Sequence, residues 1–424
     1  MSRRFLSCLL VAMVPATVGA APAEPAETCL DESCLLPAIR DLSVSDAHRY
    51  FRGHRAISYG FDAERASGMF RQNYATLSSF VGNYEEAERL YPLRENQEDP
   101  VSLGYTEATY ANPLIVEMAR GRQAVFLNES HARPRTRAAL HTLLRPLREA
   151  GFGYLAIEAL TTDVPGEAGT CSDAAMFDGE LPARGYPVRA SGFYLREPVF
   201  GEIVREALRL GFRLVAYETR DTSGTMEGRE QGLAGNLACI YRQDPDARVL
   251  AIAGFGHVAK SGGPVPMMAQ RFREMTGIDP LTVDTTRLLG MGKEGIRFPE
   301  AGPPRFPSQA YVLSDASGRF YGSTAYDLIV FVPGTGGRHG EGASWLELDG
   351  ARRRMPVPAE GCGAARPCLV QATVIAEDEG IPADSCVLDE GEERCVLFLA
   401  PGMFRVDYLD ARMRPLASRS VTVE

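Results

Sequence analysis

Residues 123–160 read QAVFLNESHARPRTRAALHTLLRPLREAGFGYLAIEAL, and the fold is decided here. "AVFL" and "YLAI" are short apolar runs bounded by polar or turn residues. Between them, "PRTRAALHTLLRPLREAG" carries apolar residues at three- and four-residue spacing. Strand, helix and strand in that order make a right-handed crossover, so the two strands run parallel in one sheet. Further along, after a Gly/Pro/Asp-rich insertion at about 161–190, come the helix "PVFGEIVREALRLG", the strand "RLVAYET" and the helix "REQGLAGNLACIYRQD". The strand "RVLAIAGFGH", the helix "VPMMAQRFREMTG" and the strand "PLTVDTT" follow, and "AYDLIVFVPGTGG" at 325–337 adds one more strand. The predicted class is α/β, a mostly parallel sheet covered by helices on both faces.

The flanks differ in pattern. Residues 21–118 read as a helical lead-in, with apolar residues at helical spacing through 41–97. Within it "GNYEEAERLYP" is like half of a tetratricopeptide helix pair, but no second copy follows, so no repeat array is expected. The α/β domain is assigned to 119–340, and "PGTGGRHGEGA" marks its end. From 341 to 424 the segments "CLVQATVIAED", "CVLFLAPG" and "MFRVDYLD" alternate apolar and polar residues between turn signals, which predicts a small C-terminal β-sandwich.

The chain has 424 residues, 45% of them hydrophobic and 24% charged, a composition expected of a globular protein with a sizeable core. Its start, with Arg3 and Arg4, an apolar run from Phe5 to Val14 and small residues before Ala20, reads as a signal peptide over 1–20. That run is too short for a permanent span, so stable membrane insertion is not expected, and a net charge of −10 disfavours nucleic acid and anionic lipid as partners. A periplasmic or secreted location follows. Cys8 lies in the leader, and the remaining cysteines are even in number, as befits an oxidising compartment. Close spacing favours Cys29–Cys34, Cys362–Cys368 and Cys386–Cys395, leaving Cys171 with Cys239. Zinc is the rival reading of these cysteines, but there is no CxxC.

Side chains alternate along a strand, so Glu129 and His131 leave the first strand on the same side. Glu158, Glu218, His257 and Asp284 stand where later strands end, and parallel strands deliver their C-terminal ends to one edge, where ligand crevices form. Arg229 opens the next helix within reach of that edge, and Arg220 shares a face with Glu218. Gly254 and Gly256 permit a close backbone approach before His257. No GxGxxG supports a dinucleotide, no GxSxG supports a serine nucleophile, and Ser130 points to the opposite face. His141 reads as a packing residue in mid-helix, and His48, His54 and His339 lie outside the pattern.

In order along the chain, "FLNESH", "YLAIEAL", "VAYETR", "REQGLAGNL", "IAGFGHV" and "REMTGIDPLTVD" resemble the erythromycin esterase / ChaN / TIKI-TraB superfamily over about 120–285. By position the resemblance implies Glu129 and His131 as its Glu-x-His, Glu158 and Glu218 as strand-end acids, Arg229 as the helix-opening arginine and His257 as the late Gly-His. Asn128 departs from the glycine usual there, and the C-terminal segment lies outside the match. Relatives include esterases, metal-dependent proteases and haem-binding lipoproteins. The expected function is an exported hydrolase of an ester, lactone or amide in a small molecule or peptide. His131 would act as general base on a water held by Glu129 and Glu218, and His257 and Arg229 would stabilise an oxyanion. Glu158, Arg229, Arg220 and Asp284 would bind substrate, and the insertion would form a lid. A variant places a divalent metal, zinc or manganese, among Glu129, His131, Glu218 and His257. The alternatives are a haem- or iron-binding protein using the same crevice, or a structural protein whose C-terminal sandwich recruits a partner.

Overall fold

The computed structural model describes residues 29–91, 99–161, 180–218, 224–292, 294–299, 310–332 and 343–424. The expected signal peptide, Arg220, Cys171 and most of the expected lid lie outside them. Four helices come first: α1 (Glu32–Arg40), α2 (Asp46–Ser58), α3 (Gly68–Phe80) and α4 (Tyr84–Leu90). The α/β layer then runs β1 (Glu107–Tyr110), α5 (Ala111–Ala119), β2 (Ala124–Glu129), α6 (Arg135–Glu149), β3 (Tyr154–Ile157), a short α7 (Leu181–Arg184) and α8 (Pro198–Arg209). It continues with β4 (Arg213–Ala216), α9 (Met226–Gln243), β5 (Val249–Gly254), α10 (Met268–Thr276), β6 (Leu281–Leu289), β7 (Tyr311–Ser314) and β8 (Leu328–Val332).

Among the described residues these strands form one eight-stranded sheet in the order β1-β7-β8-β6-β2-β5-β3-β4. The six from β8 to β4 are parallel; at that edge β7 pairs antiparallel with β8 and β1 antiparallel with β7. β2 lies centrally with every residue buried, as a parallel strand covered on both faces must. Its alternation is visible in the packing. Val125 and Leu127 join one apolar cluster with Leu155, Ile157, Leu250 and Ile252, while Ala124 and Phe126 join the other with Ala156, Val249 and Ala251.

The sheet begins earlier than the change of pattern at 119 suggests. β1 lies within the span read as helical lead-in and pairs with β7 from Glu107↔Ser314 to Tyr110↔Tyr311. "EATY" is too short to carry a periodic signal, and its pairing depends on a strand some two hundred residues away. The four N-terminal helices build a third cluster that reaches Ala132 beside β2 and Leu369 near the C-terminus.

The C-terminal part comprises β9 (Arg353–Pro358), β10 (Cys368–Val374), β11 (Asp384–Leu388), β12 (Arg394–Leu399), β13 (Gly402–Asp410) and β14 (Pro415–Val423). They form two antiparallel sheets, β11-β10-β13-β14 and β12-β9, around an apolar cluster that includes Cys362, Cys368, Cys386 and Cys395. The three short-range disulfides are those expected from spacing, Cys29–Cys34, Cys362–Cys368 and Cys386–Cys395, and they suit an extracytoplasmic setting. Among the described residues no helix is long and apolar enough to cross a membrane.

Candidate active site

At the C-terminal edge of β2, β3, β4 and β5 lies a cavity of about 460 Å³, lined by His131, Glu158, Tyr194, Glu218, Arg229 and His257, with Gln72, Ala159, Gly254 and Phe255 completing the wall. Gln72 comes from α3, so the N-terminal helices contribute to the site. Glu129 and His131 do meet. His131 Nδ1 contacts Glu129 Oε1, and Glu129 Oε2 accepts from Arg137 Nε at 3.0 Å. Arg137 also reaches Glu197 Oε2 at 3.0 Å and the His131 carbonyl at 2.6 Å, and its guanidinium lies over the Phe200 ring. Burial disfavours charge on Glu129, yet the opposing charges of His131 and Arg137 outweigh it and hold the carboxyl below its ordinary range.

The His131 ring is clamped. Tyr194 stacks on one face at 3.8 Å and 14°, Phe255 meets it edge-on at 6.0 Å, and a Cβ at Gly254 would sit 2.8 Å from both Cε1 and Nε2. Burial, then the charges of Glu129 and Glu158, push the Tyr194 phenol up to about 12, so it stays neutral beside the imidazole. Phe255 adopts φ +38, a left-handed conformation rare outside glycine. Its carbonyl accepts from Asn128 Nδ2 at 2.9 Å, while Asn128 Oδ1 accepts from Thr285 N at 2.6 Å. Asn128 thus ties the β5 turn to β6.

Arg229 organises the other wall. Its Nε and Nη2 grip Glu218 at 3.2 and 2.5 Å, Nη2 also contacts Glu158 Oε1, and Nη1 donates to His257 Nε2 at 3.0 Å. Glu158 Oε2 accepts from the Gly254 N–H at 2.5 Å. Behind His257, fully buried Glu230 lies 2.6 Å from Nδ1 and accepts from Met268 N at 2.7 Å. Burial opposes charge on His257, but the adjoining Glu230 carboxylate and the charge of Glu158 prevail and raise its pKa. Glu230→Gln removes that support, so the His257 titration, followed by NMR of the ring protons, is expected to move to lower pH; an unmoved titration refutes the pairing.

Glu129, His131, Glu158, Glu218, Arg229 and His257 therefore share one region. Asp284 does not line the cavity. The strand continues past it to Leu289 with a register irregularity, and its buried carboxylate accepts from Thr286 N at 2.8 Å and Arg287 N at 3.0 Å, which stabilises the irregular turn. Glu129 is also misplaced as a holder of water: only 3% exposed, it stands behind His131 rather than on the cavity wall. A metal fits poorly. Among the described residues no three His, Cys, Asp or Glu side chains are placed to hold one, and a guanidinium already stands among Glu158, Glu218 and His257.

Sequence reading missed Arg137, Tyr194, Glu197 and Glu230. Arg137 sits among other arginines in "ARPRTR", and Tyr194 follows an irregular segment. A signal existed for Glu197: Glu-Pro opening a helix is a cap pattern, and Glu197 accepts from Val199 N and Phe200 N at 2.9 Å each.

No protein-family model and no curated protein matches the chain. Distant similarity to solved structures falls on bacterial toxins. One structure described as bacterial protein toxins is 15% identical with TM-score 0.30, covering 51% of this chain and 45% of its own. RRSP, a MARTX toxin effector domain from Vibrio vulnificus CMCP6, is 16% identical with TM-score 0.28, covering 58% of this chain and 46% of its own. The C-terminal region of Pasteurella multocida toxin, described as having a thiol-protease like catalytic triad, is 12% identical with TM-score 0.29, covering 57% and 37%. The chain thus spans less than half of each of these structures, and likeness at this level carries no functional argument.

Proposed function

We propose that the protein is a hydrolase that adds water to an ester, lactone or amide carbonyl in this cavity, with His131 as general base. The observation that carries this reading is the Glu129–His131 pair. A buried carboxylate on Nδ1 selects the tautomer protonated there, which leaves Nε2 as the acceptor of a ring that lines the cavity. His131 Nε2 takes a proton from water as the water oxygen bonds to the carbonyl carbon and the C=O π pair moves to oxygen. Arg229 Nη1 has a second N–H besides the one given to His257, and as Arg229 lines the same cavity this is the donor assigned to the oxyanion. Collapse re-forms the carbonyl and breaks the bond to the alcohol or amine, which receives the proton from His131.

The succession Glu129, His131, Glu158, Glu218, Arg229 and His257 is the one expected of the erythromycin esterase / ChaN / TIKI-TraB superfamily, and it supports the reading. No step needs a metal, so exhaustive dialysis against a chelator is expected to leave turnover unchanged. The test is a panel of aryl esters, lactones and fluorogenic peptides presented to the purified chain, with haemin titrated in parallel. Turnover of any class supports the proposal. A haemin-dependent visible band with no turnover on the panel moves the site to a haem carrier.

Gly254→Ala probes the seat of the base. Gly254 lies at φ −71, where alanine is unstrained, so the sole penalty is the contact of its Cβ with the imidazole. Turnover is expected to fall by about tenfold or more at a cost in stability of about 1–3 kcal/mol. Unchanged turnover would show that the ring need not be held there.

A further inference from the structure

A second cavity, of about 260 Å³, lies between α5, α6 and the turn at Ser344–Gly350. Trp345, Tyr110, Pro113, Ala138, Ala139 and Leu348 give it apolar walls, and Asn112, Thr142 and Asp349 give it polar atoms. Those polar atoms are biased in one direction. Asn112 Nδ2 is engaged by Thr142 Oγ1 and the Thr142 hydroxyl by the Ala139 carbonyl, whereas Asn112 Oδ1 is buried without a donor. Among the described residues Asp349, exposed at the rim, is the sole carboxylate of the lining. A buried orphan oxygen and a carboxylate both call for donors. The backbone presenting Asp349 is also strained: Leu348 and Asp349 are consecutive non-glycine residues at φ +46 and +55. Such conformations cluster where a ligand is held.

We infer that this cavity binds a small organic ammonium ion carrying an apolar or aromatic body. The body fills the space beside Trp345 and Tyr110, and the ammonium donates to Asp349 and Asn112 Oδ1, with the aromatic rings favouring a cation over a neutral group. An organic anion is excluded by the carboxylate, and a neutral alcohol of the same shape supplies one donor without charge.

Trp345 is the single tryptophan of the chain, so intrinsic tryptophan emission reports on this cavity. Its ring packs edge-on against Tyr84 at 5.1 Å, and Tyr84 donates to Glu197, so Trp345 itself is left intact. The experiment titrates the full chain with 2-phenylethylamine, 2-phenylethanol and phenylacetate while following that emission. A saturable change is expected with the amine, with affinity at least about tenfold above the alcohol and no response to phenylacetate. Asp349→Asn should bring the amine down to the alcohol, and Ala139→Phe, which fills the space, should remove the response while circular dichroism stays unchanged. Overturning results are no saturable change with the amine, equal affinity for amine and alcohol, or an Asp349→Asn chain that binds the amine as before. None of these outcomes depends on hydrolysis at His131.

Discussion

Replacing His131 by alanine is expected to cut hydrolysis by roughly a thousandfold, as loss of a positioned general base does, while the chain stays folded. The two halves of this expectation have separate causes. The imidazole lies at the cavity wall with its ring stacked on Tyr194, so its loss opens space toward a hollow that already exists and strands no buried charge. Glu129 keeps Arg137 as a partner at 3.0 Å and remains compensated. What disappears is the acceptor at Nε2, and nothing described beside it replaces it: Glu158 and Glu218 are held by Arg229, and His257 Nε2 accepts from the same guanidinium. Because the deleted ring leaves a slot between Tyr194 and Gly254, added imidazole should restore part of the rate in His131→Ala and none in wild type. Thermal melts and turnover on the substrate identified by the panel check both halves. Wild-type turnover in a folded His131→Ala chain would falsify the assignment of the base.

The legible part of the site is the part that rests on strands. Glu129, Glu158 and Glu218 end β2, β3 and β4 or follow them closely, and His257 follows β5. Parallel pairing, Ala124↔Val249 through Glu129↔Gly254 and Tyr154↔Arg213 through Ile157↔Ala216, brings those ends into one row. Apolar runs fix the strands, and the first polar residue after each run fixes what they deliver. Asp284 shows where that inference fails. "PLTVDTT" reads as a strand ending in an acid, but the apolar residues Leu288 and Leu289 beyond it carry the strand onward, and the acid is consumed by its own turn. Arg137 and Glu230 were invisible for a different reason, and Glu197 was legible only as a helix cap. Each lies on a helix or at its start, where sequence alone gives a polar residue no address, and each becomes meaningful through the side chain it backs. The strand β1 was hidden likewise, since four residues acquire strand character from their partner.

Arg137 is the buried residue whose loss should cost most. Its side chain is 0% exposed and lies between Glu129, 3% exposed, and Glu197, 0% exposed, so one guanidinium compensates two carboxylates out of reach of water. Arg137→Met keeps much of the stem and its packing on Phe200 but leaves Glu197 with its hydrogen bonds and the charge of Arg352, and Glu129 with His131 alone. The expected loss is about 3–5 kcal/mol, the usual result of breaking a buried ion pair by removing one partner. The loss should depend on pH, with a sign that follows from the two acids. In the wild type Glu129 is held below its ordinary 4.5, so its contribution is present above that value and lost as pH falls through the folded pKa. Glu197 is raised by burial even with Arg137 opposing, so its charged form is the disfavoured one, and the strain rises as pH climbs through its folded pKa. Without Arg137 that pKa climbs further, and the variant recovers on acidification as Glu197 takes a proton. The gap between wild type and Arg137→Met in urea unfolding should therefore be widest near neutrality and narrow toward mildly acidic pH. Adding Glu197→Gln to Arg137→Met should recover part of the loss, because glutamine still accepts from Val199 N and Phe200 N without a charge to strand. A gap of less than about 1 kcal/mol, the scale of an exposed pair, with no pH dependence would mean that water reaches these carboxylates and that the base is not backed by a buried charge network.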